Sequence, residues 1–245
     1  MDTFDAWMTA LEARQLAHLD FREVSRALRA LSSAYVERRG RLRRGGALDG
    51  DGKRAAFALF YGPIHFLIVR EIVSALGEAA RSDEAIVDLG CGTGAAGAAW
   101  ADACRVPSVL GVDQNPWALG EAAGTYRQFG LEGRTRLGDV AAATLPTRRA
   151  AFIAAFSLNE MPEEGRDRLL SRLVGRATAH DRLLILEPLA RFVAPWWEKW
   201  RASVERAGGR ADEWRFRVEL PSVVAKLDRA VGLDHRELTA RSLFL

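Results

Sequence analysis

VDLGCGTGAA, residues 87–96, joins an apolar run (AIV, 85–87) to an alanine-rich stretch (95–103) that reads as a helix. After Asp88, glycine recurs at alternate positions: Gly90, Gly92 and Gly94. A strand, a tight turn and a helix N-terminus in that order form a nucleotide-type binding loop. Glycine suits it because a Cβ would block a ligand lying against the backbone. The amides that open the helix can hold a carboxylate or a phosphate.

The same letters satisfy the dinucleotide pattern G-x-G-x-x-G, as Gly92, Gly94 and Gly97 with Asp113 downstream. Asp88 argues against a dinucleotide, because a pyrophosphate would pass close to that carboxylate. A ligand ending in an ammonium and a sulfonium gains from it instead. Asp113 ends the next strand-like segment, SVLGVD (108–113), where it is placed for two ribose hydroxyls of either ligand. A third segment ends in Gly138-Asp139-Val140. There Asp139 suits an adenine amino group, and Val140 offers a backbone N–H.

The motifs VDLGCGTG (87–94), GVDQNPWAL (111–119), GDV (138–140), AAFSLNEMP (154–162) and LLILEP (183–188) follow one another at βα spacings. With them, residues 84–187 resemble the core of a class I S-adenosylmethionine-dependent methyltransferase. The resemblance implies a Rossmann-like, doubly wound α/β fold with a mainly parallel sheet of the seven-stranded type. It also implies S-adenosylmethionine as cofactor. The residues it points to are Asp88, Gly90, Cys91, Gly92, Thr93 and Gly94 in the first loop, and Asp113 and Gln114 after the second strand. Asp139 and Val140 follow the third strand, and Phe156 and Ser157 the fourth. Cys91 reads as a small filler beside the cofactor rather than a nucleophile.

The chain has 245 residues, 49% apolar and 27% charged, which suits one large α/β domain with an extension. Its longest apolar run, AAFALFYGPIHFLIV (55–69), is broken by Gly62-Pro63 and falls short of the ~20 residues that span a bilayer. MDTFDAWMTALEA at the start carries two early acids and no basic segment, unlike a signal peptide. These features lead to the expectation of a cytoplasmic protein with no membrane association. Two cysteines, Cys91 and Cys104, support neither a disulfide framework nor a zinc site, and no metal-ligand cluster is legible. The net charge is +3, and the positive charge is nearly all Arg, a bias that reads as genomic composition.

Residues 1–80 read as a helical cap that covers the substrate region, and residues 81–245 as the cofactor-binding domain. Phe21, Val24, Leu28, Leu31 and Tyr35 recur at helical spacing, and Asp20 with Glu23 forms a capping box. That helix is expected to end near Gly40. A turn-rich connector (40–53) follows, then a helix that bends at Gly62-Pro63. Strands are expected near 85–89, 108–113, 134–138, 151–157 and 182–187, with an antiparallel pair at 214–220 and 237–245 closing the sheet.

Asp88, Asp113, Asp139 and the run Ser157-Leu158-Asn159-Glu160 all fall at strand C-termini, where open α/β sheets bind ligands. Asn159 and Glu160 stand where methyltransferases orient the acceptor. Asn159 is suited to hold the acceptor and Glu160 to take its proton; alternatively Asn159 caps the following turn and Glu160 is structural. Tyr61 and His65 lie one helical turn apart. They either line the acceptor pocket, with His65 as a base, or pack in the core with their polar tips satisfied. Trp196, Trp197 and Trp200 lie too close together to share one helix face, so at least one is expected to meet the pocket or a partner. Glu187-Pro188 is expected to shape the same rim.

A looser resemblance, carried by AAFSLNEMP and LLILEP, is to the methyltransferase-like proteins of the mitochondrial small ribosomal subunit and their bacterial relatives. Those proteins often carry a downstream cysteine cluster, whereas no cysteine follows Cys104 here. Two classes of acceptor follow: a small molecule enclosed by the helical cap, or RNA on a ribosome-associated, catalytically active or inactive protein. Five Arg in residues 38–44 favour RNA. The first 80 residues, with 12 basic and 10 acidic side chains, favour the small molecule. Oligomeric state is not legible.

Overall fold

A computed structural model describes residues 2–37, 48–81 and 85–245. The Arg run at 38–44 lies outside the described residues. Five parallel strands carry the sheet: β1 (Ala85–Leu89), β2 (Ser108–Asp113), β3 (Glu132–Leu137), β4 (Ala150–Ala155) and β5 (Arg182–Glu187). Two more, β6 (Arg210–Phe216) and β7 (Leu238–Phe244), complete a seven-stranded sheet of order β3-β2-β1-β4-β5-β7-β6. β7 runs antiparallel to both of its neighbours. The strand order reverses between β1 and β4, and register sets Asp88 of β1 beside Gly111 of β2 and Ile153 of β4. A crevice opens beyond the strand ends at such a switch point.

Alternate strand residues feed two cores. Ile86, Val109, Ile153, Leu184 and Leu186 face one, while Val87, Leu89, Phe152, Leu183 and Ile185 face the other. Burial on both faces explains why these strands read as unbroken apolar runs. The second core is covered by α7 (Glu163–Ala179) and α8 (Trp197–Arg206). The first takes α5 (Ala95–Cys104), α6 (Pro116–Gln128) and α9 (Ser222–Ala230), together with the N-terminal helices.

Those N-terminal helices are α1 (Thr3–Gln15), α2 (Phe21–Glu37), α3 (Asp51–Ala56) and α4 (Gly62–Leu76). Phe4, Trp7 and Phe66 pack with Phe129, which follows α6, at ring separations of 4.9 to 5.8 Å. The cap's aromatic residues therefore share the sheet's own core. The capping box forms as expected: Glu23 N–H donates to Asp20 at 2.7 Å, and Asp20 N–H to Glu23 at 2.9 Å.

Some details differ from the sequence expectation: β6 begins and ends four residues before the expected 214–220, and the helix expected to bend at Gly62-Pro63 continues through it. A π-helical segment, Phe57–Tyr61, links α3 to α4, and the helix runs on from Asp51 to Ala80. The wider π turn takes up the missing N–H and steric bulk of Pro63. The resulting 30-residue helix is long and apolar enough to cross a membrane, but 72% of its most apolar window is buried inside the protein, as befits a core helix. β4 stops at Ala155 rather than 157, because Phe156 turns into the left-handed region at φ +59°. All three tryptophans of 196–200 are buried. Trp196 precedes α8, so only Trp197 and Trp200, three residues apart, need share a helix face.

Candidate active site

All three glycines of the first turn have positive φ: +75° at Gly90, +51° at Gly92 and +77° at Gly94. A Cβ on Gly90 would stand 2.5 Å from Ser157 Cβ, and one on Gly94 would stand 2.9 Å from Ala122 Cα. Protein atoms therefore already exclude side chains at these two positions. Gly92 is different: a Cβ there would meet only the Phe57 ring, at 3.5 Å. The π-helical segment thus lies across the mouth of the turn.

Asp113 braces this turn. One of its oxygens accepts the Gly92 N–H and the other the Asn115 N–H, both at 2.8 Å. Each oxygen keeps a lone pair, so ribose hydroxyls can still be accepted. Asp88 lies deeper, 1% exposed, with one oxygen on the Gly97 N–H at 2.8 Å and the other buried without a hydrogen-bond partner. Burial, with the Asp113 charge added, pushes its carboxyl up to about 7. Cys91 and Thr93 are buried beneath the turn, and burial holds the Cys91 thiol protonated, as befits a filler. Gln114 is exposed beside Asp113. Beyond β3, Asp139 is exposed and accepts the Ala141 N–H at 2.9 Å, while Val140 is buried.

After β4, Phe156 stacks on His65 with ring centroids 4.3 Å apart. Ser157 Oγ donates to the Leu89 carbonyl at 2.9 Å and so ties the turn after β4 to the end of β1. Tyr61 lies 6.1 Å from His65, and its hydroxyl meets Ser32 Oγ at 3.2 Å. The polar tip of Tyr61 is thus satisfied, and burial raises its pKa. Burial lowers His65 to about 4, which keeps the ring neutral and makes it a poor proton acceptor. Glu160 keeps part of its side chain open to solvent. Crowding atoms, with the Asp113 charge added, nevertheless push it up to about 7.

Asn159 makes no helix-cap hydrogen bond. Its amide donates to Glu187 at 2.5 Å, and its carbonyl accepts the Trp196 indole N–H at 3.0 Å. Phe57, and the part Glu187 plays beyond shaping the rim, went unread in the sequence. Their partners are fixed only by packing between distant segments. Two surface cavities, of about 320 and 460 Å³, lie elsewhere and contain none of these residues.

Fully buried Glu187 is pushed up to about 8 by burial, partly offset by Asn159 and Arg241. Glu187 and Asp88 both have folded pKa values above their unfolded ones. The stability they contribute is therefore complete below about pH 4, where the unfolded carboxyls are also protonated, and is lost progressively as pH rises to about 7 and 8. The melting temperature should fall by about 5–10 °C between roughly pH 6 and pH 8. Glu187→Gln should flatten that slope, as read by calorimetric scans across the range.

A glycine turn braced by Asp113, at the switch point of a 3-2-1-4-5-7-6 sheet, is the arrangement of the Rossmann-like methyltransferase fold. Residues 86–177 match the family model described as a methyltransferase domain. No curated protein sequence matches the chain. Among solved structures, the chain is similar to the mitomycin 7-O-methyltransferase MmcR, with 15% identity, a TM-score of 0.54, and 97% of this chain and 71% of that one covered. It is also similar to the methyltransferase domain of bacterial CtHen1-C, with 13% identity, a TM-score of 0.50, and 74% and 97% covered. A TehB-like SAM-dependent methyltransferase from Corynebacterium glutamicum matches with 21% identity, a TM-score of 0.46, and 72% and 85% covered.

The residues present fit S-adenosylmethionine. A buried Asp88 oxygen lacks a hydrogen-bond partner beneath the glycine turn, and the acceptors around it are acidic, which suits a ligand bearing an ammonium and a sulfonium.

Proposed function

We propose that this protein transfers a methyl group from S-adenosylmethionine to a small-molecule O, N or C acceptor. The observation that carries this reading is the cover over the crevice. Phe57 lies against the Gly92 turn, and His65, one helix further on, stacks on Phe156. A helix that closes over the reaction edge suits an enclosed acceptor better than a polynucleotide. The five-Arg run is the feature that would favour RNA, and it lies outside the described residues.

In this reading Asp113 accepts the ribose hydroxyls, and Asp139 with Val140 receives the adenine. Gly90 to Gly94, with Asp88 beneath them, cradle the amino-acid end. When bound, S-adenosylmethionine supplies a methyl carbon already activated by its sulfonium. The chain's own residues then align the acceptor and exclude water. Phe57, Phe156 and His65 form the apolar wall. Glu160 takes the acceptor's proton, at a carboxylate poised near neutrality. A cytoplasmic location belongs to the same proposal.

Titration calorimetry with S-adenosylmethionine and its demethylated product should show one site per chain. Label transfer from the tritiated methyl group should then appear in small-molecule extracts and be absent from ribosomal RNA. Failure of either ligand to bind would sink the cofactor assignment. Label recovered in RNA would overturn the acceptor class.

A further inference from the structure

Behind the acids of the crevice lies a buried polar network that holding the cofactor does not require. Glu187 ends β5, is 0% exposed and stands opposite Arg241 of β7. One of its oxygens accepts the Asn159 amide. Its other oxygen is buried without a hydrogen-bond partner. Asn159 carries the chain of bonds on to the Trp196 indole. Arg166, 7% exposed, lies over the Trp196 ring at 5.1 Å and donates to the Met161 carbonyl at 3.2 Å.

These contacts converge on residues 157–161, which bear Glu160. By itself this is a three-residue 3₁₀ turn closed by long backbone bonds, 3.4 Å from Glu160 N to Ser157 O and 3.2 Å from Met161 N to Leu158 O. So short a turn has little stability of its own. Four of the five residues are anchored from outside. Ser157 is held by Leu89, Leu158 is fully buried, Asn159 is held by Glu187 and Trp196, and the Met161 carbonyl is held by Arg166. Glu160 is the fifth, and it is the side chain presented to solvent. Stability alone does not call for this arrangement, because a well-packed apolar residue often serves as well as a buried acid with an unmatched oxygen.

We propose that Glu187 and Asn159 are positioning residues that fix the Leu158–Glu160 turn so that the Glu160 carboxylate faces the crevice. This rests on the reading of Glu160 as the proton acceptor. It also assigns Asn159 to the support of that residue rather than to contact with the acceptor.

Asn159→Leu removes the amide donor to Glu187 and the acceptor for Trp196 without placing a new charge beside Glu160. Carbon-13 carboxyl NMR of the full chain should find the Glu160 titration midpoint displaced by about one unit or more from its wild-type value. Affinity for S-adenosylmethionine, measured by calorimetry, should stay within about threefold, since Asn159 holds no part of the cofactor cradle. An undisplaced Glu160 midpoint in the folded variant would overturn the proposal. Glu187→Leu provides a second route should the first variant not fold: exchange of the Met161 amide, which closes the turn on the Leu158 carbonyl, should accelerate at least about tenfold, and unchanged exchange would overturn the proposal equally. The NMR and exchange readings need no acceptor. Absence of S-adenosylmethionine binding to the wild type would instead count against the cofactor assignment.

Discussion

Asp113→Ala is expected to weaken S-adenosylmethionine binding by at least about 100-fold. Hydrogen bonds to a charged group contribute about 1.5–3 kcal/mol each, and tenfold in affinity corresponds to about 1.4 kcal/mol. Loss of the two proposed ribose hydroxyl contacts alone reaches that figure. The variant also frees the Gly92 and Asn115 amides, each held at 2.8 Å. The glycine turn then loses its brace as well as its ligand acceptor. Asp113→Asn separates the two effects, because it keeps one carbonyl oxygen for a backbone amide and loses the charge. An intermediate loss of roughly 10-fold is expected for it. Calorimetry measures all three proteins. An Asp113→Ala affinity within threefold of the wild type would show that the ribose sits elsewhere.

The contrast between Asp113 and Asp88 shows how far the sequence could be read. Both acids end strands whose apolar runs are unambiguous, so their place at one sheet edge follows from the βα alternation and was legible. What each carboxylate touches was not. Asp88 faces inward onto Gly97 because the third glycine of the motif leaves just enough space, a Cβ there standing 2.8 Å from its oxygen. The same limit hid the cover. Phe57 looks like one more apolar residue in a core helix, and only the π turn before Pro63 brings its ring across Gly92. Phe156 carries no sign of its left-handed backbone, since the residue usual in that region is glycine. Glu187 gains Arg241 as a neighbour through an antiparallel strand much later in the chain, a pairing no local pattern announces. Periodicity reports which face is buried and not which distant segment buries it.

Glu160→Gln should lower the turnover of any acceptor that must lose a proton by about 10²- to 10⁴-fold, the usual worth of a positioned base. Affinity for S-adenosylmethionine should change little, because the proposed cofactor contacts lie on other residues. The pH dependence provides the sharper test. A carboxyl poised at about 7 is half ionised at neutrality, so turnover should rise with pH through that value and level off above it. The amide introduced by Glu160→Gln has no such ionisation, and the profile should become flat over the same range. His65 offers a distinct alternative: with its ring held down to about 4, a His65-driven reaction would already be level at neutral pH. A wild-type profile flat from about pH 6 to 8, or a Glu160→Gln variant that retains the rising limb, would remove Glu160 from the chemistry. A loss confined to KM would make the residue a binding contact, since a proton transferred in the transition state must appear in kcat.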